Sequence, residues 1–459
     1  MLGLVAAFLL VTMLATWPVK GVVWGMALAW LFCMAPLLTG IVAYDFYDDG
    51  QVWFAGKLIG FLGCYVAGAM IWQALPKRDQ PPPSAAEADQ AFAFSLATAR
   101  IAWWIAMAGT ALVFSDFYFG QSAGLDDLAA LRDAIVERKG ASLIGQLGSI
   151  LTWACLYCFV FALTFRKRLR AREVARMMVP VLGYFLVSVL SAGRQTAFQI
   201  MLVTFIGLIL ASSRRPAAAR VRRRWSWQGI AAVTSVAVVM SSYMGYVAVA
   251  RKDQSVVMEK GDIIASIFGL TLDSRFDAAI SAIGINFRSA VIEGIVYFSS
   301  SVALFQNFLR VRFPDLHYGA MSLPFVFRQL QPITGLDTST IYIDKVDRLG
   351  ASGVLGVGWT TAISSFLQDF GEVGTAAFMA LAGYYSALAW QSARTSPHVE
   401  DVVIGVVVML FALYLPLLPV TSDTNVLLLW FAALGVAVSR RMTTRGRGTP
   451  ASAFANQVG

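Results

Sequence analysis

Apolar residues gather along the chain in runs of about 17 to 24, separated by short polar segments. A helix of that length crosses the ~30 Å of hydrocarbon in a bilayer, because each residue adds about 1.5 Å. Stretches such as 229–249 and 402–418 are apolar on every face. Membrane-spanning strands would instead alternate polar and apolar residues over about ten positions. The pattern therefore predicts an all-α, polytopic transmembrane protein.

Basic residues predict the orientation of these helices, because short cytoplasmic loops carry an excess of Lys and Arg. Two arginine-rich loops, 166–172 and 214–224, are therefore predicted to be cytoplasmic. The two spans between them are joined by a tight turn, 192–195, which faces outward and carries Arg194. Counting from these loops gives about eleven to thirteen spans, an external N-terminus and a basic cytoplasmic tail at 440–459.

This count divides the chain into four predicted regions. They are N-terminal transmembrane helices over 1–249, a large and partly helical periplasmic loop region over 250–350, C-terminal transmembrane helices over 351–439, and the tail. Segments 290–309 and 351–366 are apolar enough to touch the membrane, yet carry Glu293 or several glycines. We expect them to be partly re-entrant on the external face. Counting both as spans leaves the orientation of the other helices unchanged.

Composition narrows the possible functions. Of the residues, 58% are hydrophobic and 14% charged, and the net charge is +9. The basic residues lie mostly beside apolar runs, so they indicate topology, and no nucleic-acid partner is predicted. All four cysteines fall within apolar runs, which argues against a disulfide scaffold; Cys155 and Cys158 are predicted to be buried hydrophobes. His317 and His398 are too few for a His-rich zinc site, so we expect metal-independent chemistry.

The external region interleaves arginines with aromatic and aliphatic residues, which predicts that it packs onto the membrane surface. Guanidinium groups bind phosphate oxygens in pairs and remain charged at physiological pH, so a lipid diphosphate is the expected ligand. The arginines concerned are Arg275, Arg288, Arg310, Arg312, Arg328 and Arg348. The alternative is that they pair with carboxylates of the same region, namely Asp273, Asp277, Asp315 and Asp347. Arg194 begins a helix with few carboxylates nearby, and a helix N-terminus itself attracts anions.

Four residues are candidate general bases. His317 lies in a Leu-His-Tyr-Gly segment and has a side chain whose ordinary pKa suits proton transfer near neutral pH. Asp273, Asp277 and Asp369 are the other candidates. The alternative interpretation makes His317 a surface histidine and the aspartates structural ion-pair partners. No nucleotide-binding or serine-hydrolase motif stands in a suitable context.

Four segments occur in a recognisable order. They are Ser191-Ala192-Gly193-Arg194-Gln195-Thr196, Tyr297-Phe298-Ser299-Ser300, Arg312-Phe313-Pro314 through Tyr318-Gly319 to Pro332, and Gly358-Trp359-Thr360-Thr361 followed by Gln368-Asp369-Phe370-Gly371. Their order and predicted topology resemble those of the Wzy-type O-antigen and exopolysaccharide repeat-unit polymerases, over about residues 182–385. The last segment is similar to the Asp-Phe-Gly signature that begins a late span in that family.

The resemblance implies a metal- and cofactor-independent glycosyltransferase of the GT-C type, at the periplasmic face of a bacterial inner membrane. Its substrates would be undecaprenyl-diphosphate-linked oligosaccharides, and membrane lipids and a polysaccharide chain-length regulator are the other expected partners. By this resemblance Arg194, Gln195 and Arg251 join Arg275, Arg288, Arg310 and Arg348 as diphosphate ligands. Tyr297, Tyr318 and Thr360 would line the substrate, and a loop histidine such as His317 is expected in the related O-antigen ligases.

Two other functions fit much of the same pattern. A flippase or transporter for lipid-linked sugars would also need arginines near a diphosphate, but it would normally carry charges within its spans. Here the spans are nearly free of charge, which favours an interfacial enzyme. An O-antigen ligase differs only in its acceptor, which the sequence does not reveal.

Overall fold

The computed structural model describes residues 1–16, 21–48, 51–75, 84–120, 142–190, 195–213, 265–311, 315–335, 338–351, 361–420 and 423–447. The first half contains α1 Leu2–Ala15, α2 Val22–Leu38, β1 Val42–Tyr44, α3 Val52–Ala74, α4 Ala85–Gly120, α5 Leu143–Leu151, α6 Trp153–Phe165, α7 Ala171–Leu190 and α8 Gln195–Ser213. The second half contains β2 Leu270–Leu272, α9 Ser274–Ile283, α10 Ile285–Arg310, α11 Pro324–Thr334, α12 Thr338–Ala351, α13 Ala362–Thr395, α14 Val399–Tyr414 and α15 Thr424–Arg447.

The prediction of a helical membrane protein is confirmed at this coarse level. Within the described ranges, five helical segments are long and apolar enough to cross a bilayer: Val52–Ala74, Ala85–Asp116, Leu143–Phe165, Phe287–Arg310 and Thr424–Met442. Shorter apolar helices cover Leu2–Ala15, Val22–Leu38 and Thr196–Leu210. The count of eleven to thirteen spans stays a prediction, and the predicted span 229–249 lies outside the described residues.

The two uncertain segments differ in the structure. Segment 290–309 lies within the single continuous helix α10, whose length and hydropathy suit a complete crossing. This favours a span over the partly re-entrant element expected from Glu293. The second segment, 351–366, contributes the start of α13, while residues 352–360 lie outside the described chain.

Helix α14 lies at the centre of the helical bundle. It packs against α2, α6, α8, α13 and α15. Consecutive side chains such as Val402, Val403 and Ile404 are all buried. A helix that is apolar on every face requires neighbours on every side, which explains its central position.

Small residues allow α3 and α13 to approach closely. A Cβ atom added at Gly68 would lie 1.8 Å from the carbonyl oxygen of Ala380. One added at Gly383 would lie 1.9 Å from the carbonyl oxygen of Tyr65. Any larger residue at either position would force the helices apart, as at other small-residue contacts between membrane helices.

A buried group of charges joins the start of α14 to α15. Arg440 donates from Nη1 to Glu400 Oε1 at 2.5 Å and from Nη2 to Asp401 Oδ2 at 3.1 Å. Glu400 is completely buried, and Ser396 donates a further hydrogen bond to Asp401. We call Glu400, Asp401 and Arg440 the hairpin-end cluster. It ties α15 to the turn between α13 and α14.

At the opposite end of α14, the N-terminal part of the chain meets the predicted external region. Strands β1 and β2 pair antiparallel, with Val42 opposite Leu272. Tyr44 Oη lies 2.8 Å from Ser299 Oγ, and Gln306 bonds to the backbone N and O of Asp48 at 2.9 and 2.7 Å. The acidic segment around Asp48 and the region after residue 265 therefore lie on the same side of the bundle.

Candidate functional site

The candidate site is built around a break in α13 at Gly371. This residue has φ 67° and ψ −174°, in the left-handed range that favours glycine. The helical ladder stops there, so the carbonyl oxygens just before the break need other donors. The backbone N–H groups of His317 and Tyr318 donate to the carbonyl oxygens of Gln368 and Asp369, each at 3.0 Å. The Asp-Phe-Gly segment thus binds a turn of the predicted external region.

The Asp369 side chain also binds this turn, which comprises residues 317–322. Its carboxylate accepts from Met321 N at 3.0 Å, Ser322 N at 2.7 Å and the Ser322 hydroxyl. Gly319 N supplies a further hydrogen bond. Burial raises the pKa of the Asp369 carboxyl above its ordinary value, although these hydrogen bonds oppose the shift. A completely buried carboxylate with this many donors positions the 317–322 turn, and this geometry favours that role over direct proton abstraction.

The 317–322 turn presents a strained residue to the surface. Tyr318 has φ 47°, the only positive φ of a non-glycine residue in the described ranges, and Gly319 follows at φ 104°. This conformation costs about 1–3 kcal/mol and persists only where the surroundings impose it. The Tyr318 side chain is 72% exposed, and His317 beside it is half-buried. Strain of this kind concentrates at functional sites.

A buried lysine also belongs to the candidate site, because Asp369 acts on it electrostatically. Lys345 of α12 is only 3% exposed, and its Nζ lies 5.7 Å from the ring centroid of Phe308. Burial lowers the pKa of Lys345 from 10.5 to about 8, while the negative charge of Asp369 opposes the shift. Lys345 is not among the predicted diphosphate ligands, because those were chosen among the arginines. A signal was present: Lys345 stands four residues from both Ile341 and Leu349, on the apolar stripe of an otherwise polar helix.

Three of the predicted diphosphate ligands have carboxylate partners. Arg288 makes a two-pronged pair with Asp277, from Nε at 2.6 Å and Nη2 at 3.3 Å. Arg348 pairs with Asp344 at 2.7 Å within α12. Arg310 donates to Gln51 at 3.3 Å and lies 3.9 Å from Asp48. The pairing alternative is therefore confirmed for Arg288 and Asp277, whereas Arg348 pairs with Asp344, which was not among the carboxylates named as partners.

The remaining described candidates have distinct environments. Asp273 caps α9, accepting from Arg275 N and Phe276 N at 3.1 Å each, which is an ordinary helix start. The side chain of Arg275 is exposed and makes no ion pair with the described residues, and the same holds for Arg328. Tyr297 packs edge-on against Phe298 within α10, with ring centroids 5.1 Å apart.

Several predicted site residues lie outside the described chain. They are Arg194, Arg251, Arg312 and Thr360. Gln195 begins α8, but its side chain is likewise outside the description. Their predicted roles stay predictions.

The described residues contain no group of three or more His, Cys, Asp or Glu side chains suited to a metal ion. Comparison with known proteins finds no matching family model, no matching curated protein and no matching solved structure.

Proposed function

We propose that this protein polymerises undecaprenyl-diphosphate-linked oligosaccharide repeat units at the periplasmic face of a bacterial inner membrane. The predicted topology of eleven to thirteen spans belongs to this proposal. The observation that carries it is the strained 317–322 turn, fixed by Asp369 and the broken helix, together with the buried Lys345, which Asp369 attracts electrostatically. This arrangement offers a proton acceptor and a cation at the side of the bundle predicted to face outward.

The proposed reaction needs both groups. An acceptor hydroxyl oxygen forms a bond to the anomeric carbon of the donor glycan, and the bond from that carbon to the diphosphate oxygen breaks. The hydroxyl proton passes to a general base, for which His317 is the best placed of the described candidates. The leaving diphosphate keeps the electron pair, so cations at that position stabilise the developing charge. No nucleotide is required, because the lipid diphosphate is already an activated leaving group.

The arginines that could bind the diphosphate differ in whether a carboxylate already pairs with them. Arg275 and Arg328 are exposed and carry no carboxylate partner among the described residues, so each keeps a guanidinium available for phosphate. Arg288 and Arg348 already engage a carboxylate, and a diphosphate would have to displace it. Arg194 and Arg251 remain candidates on the family resemblance.

The test is incubation of purified protein with a lipid-linked repeat unit and no nucleotide sugar, followed by electrophoresis of the products. We expect a ladder from the wild type. The His317→Ala variant should lose about 10²–10⁴-fold in rate, the usual contribution of a general base. His398→Ala, at the hairpin-end cluster, is the matched control and should keep the ladder.

Three other results would contradict part of this proposal. Repeat units that cross vesicle membranes without being joined would favour a flippase. Transfer that occurs only when a lipid A core acceptor is added would favour a ligase. A full ladder from His317→Ala would remove His317 from the mechanism.

A further inference from the structure

A second surface lies near the cytoplasmic loop 166–172, between α4 and α7. The guanidinium carbon of Arg176 lies 4.5 Å from the ring centroid of Trp103. Arg100 precedes Trp103 by three residues, about one turn of α4, and its side chain is exposed. Arg172 precedes Arg176 by four residues on α7 and is also exposed. One arginine therefore contacts the indole ring, and two exposed arginines lie about one helical turn away along α4 and α7.

The Trp103 ring is held in place by the sequence of α7. Pro180 lies inside that helix and has no N–H, so the carbonyl of Arg176 lacks its usual donor four residues later. Trp103 Nε1 donates to this carbonyl at 2.8 Å instead. The indole is thus fixed in front of α7, and the Arg176 guanidinium stacks on it. Stacking through the face of the guanidinium leaves its N–H edges available for an anion.

The charge at this surface is positive. Arg168 of the neighbouring loop pairs with Asp89 at 3.0 Å, and Glu173 accepts a hydrogen bond from Arg170 N. The side chains of Arg100, Arg172 and Arg176 make no ion pair with any described carboxylate. Within the described ranges, these three guanidinium groups therefore have no carboxylate ion-pair partner.

An exposed apolar track continues from these arginines along both helices. On α7 it follows Val179, Leu182 and Leu186, spaced three and four residues apart, and Leu182 is 62% exposed. On α4 it follows Ile101 and Trp104, the latter 64% exposed. Helix α4 is long and apolar enough to cross a membrane, and in a bilayer this exposed track would contact acyl chains. Its arginine-rich end would then lie at the level of the headgroups.

We propose that this surface binds an anionic glycerophospholipid. Its phosphate is held by Arg100, Arg172 and Arg176, and its acyl chains lie along the track through Leu182 and Trp104. Basic pockets between membrane helices, bordered by interfacial tryptophans, are suited to such headgroups. The site is separate from the 317–322 turn and does not depend on the proposed enzyme activity.

The experiment measures thermal unfolding of the full chain in lipid-depleted micelles during titration with phosphatidylglycerol. We expect the melting temperature to rise, and the Arg100→Gln/Arg176→Gln variant to need at least about tenfold more lipid for half of the rise. Arg176→Lys should be intermediate, because it keeps the charge but loses the planar fork. Arg441→Gln, which removes an exposed arginine on α15, should behave as the wild type.

Two parallel titrations identify the source of the effect. Phosphatidylcholine and inorganic phosphate should each leave the melting temperature unchanged. An equal rise with phosphatidylcholine, a rise with phosphate alone, or an unaltered titration of the double variant would overturn the proposal. If the double variant does not fold, the exposed Arg100→Gln substitution alone should still weaken the titration.

Discussion

The hairpin-end cluster and the 317–322 turn both bury charge within the same bundle, but they balance it differently. In the hairpin-end cluster, Arg440 binds both carboxylates directly. At the turn, Asp369 is satisfied by backbone N–H groups and one hydroxyl, and it attracts the buried Lys345 electrostatically.

This difference separates a structural role from a functional one. In the hairpin-end cluster one guanidinium neutralises two carboxylates, and the main effect of these contacts is to join two elements. At the 317–322 turn the carboxylate is held by neutral donors, and the ammonium group that it attracts changes its charge with pH. Substitutions in the two places should therefore affect different properties.

The largest effect is expected from Arg440→Ala. It would leave Glu400 and Asp401 buried without their cation, which typically costs about 3–5 kcal/mol of stability. Denaturant unfolding in detergent should show this loss, while the folded fraction keeps the rate of the proposed polymerase reaction. Arg441→Ala, which removes the exposed neighbouring arginine, is the control and should change stability little. A wild-type unfolding midpoint for Arg440→Ala would show that the cluster does not join α14 and α15.

A smaller effect on stability is expected from Asp369→Asn. The new NH₂ group would face donors of Ser322 or Met321, which costs about 1–3 kcal/mol for the unsatisfied groups. Hydrogen exchange should become faster at the amides of residues 317–322, and polymerisation should fall because the turn is no longer fixed. Asp344→Asn, in an exposed pair, is the control. Unchanged exchange at those amides would contradict the positioning role.

The smallest expected effect is the pH dependence that Lys345 gives to stability and to the polymerisation rate. The pKa of Lys345 is about 8 in the folded protein against 10.5 ordinarily, so between these values the folded state binds fewer protons than the unfolded state. Its contribution to stability therefore rises as pH increases from about 8 to 10.5. If the ammonium assists the diphosphate, the polymerisation rate should fall over the same rise, with a midpoint near 8.

Measuring the polymerisation rate of two variants against pH makes this test more specific. Lys345→Arg keeps its charge above pH 10, so the alkaline decline should disappear. Lys345→Met should be slow at every pH. A decline near pH 8 that survives in Lys345→Arg would assign it to another group.

The candidate site was predictable in part. The sequence indicated His317, Tyr318 and Asp369 through separate motifs, and the structure brings them together because the helix break at Gly371 exposes carbonyls to the turn. The sequence alone could not show which arginines pair with carboxylates and which do not. The pairing of Arg288 with Asp277 spans two helices and depends on how α9 folds against α10.

The sequence alone determined the helical membrane class of the protein, because the length and hydropathy of each run depend only on local residues. It also determined which ends of the helices carry charge. The tertiary structure decided which buried charges meet, that Asp369 acts electrostatically on Lys345, and that the stacked Arg176 has no carboxylate partner among the described residues. These features depend on distances between segments remote in sequence, and such distances are set by helix packing rather than by local composition.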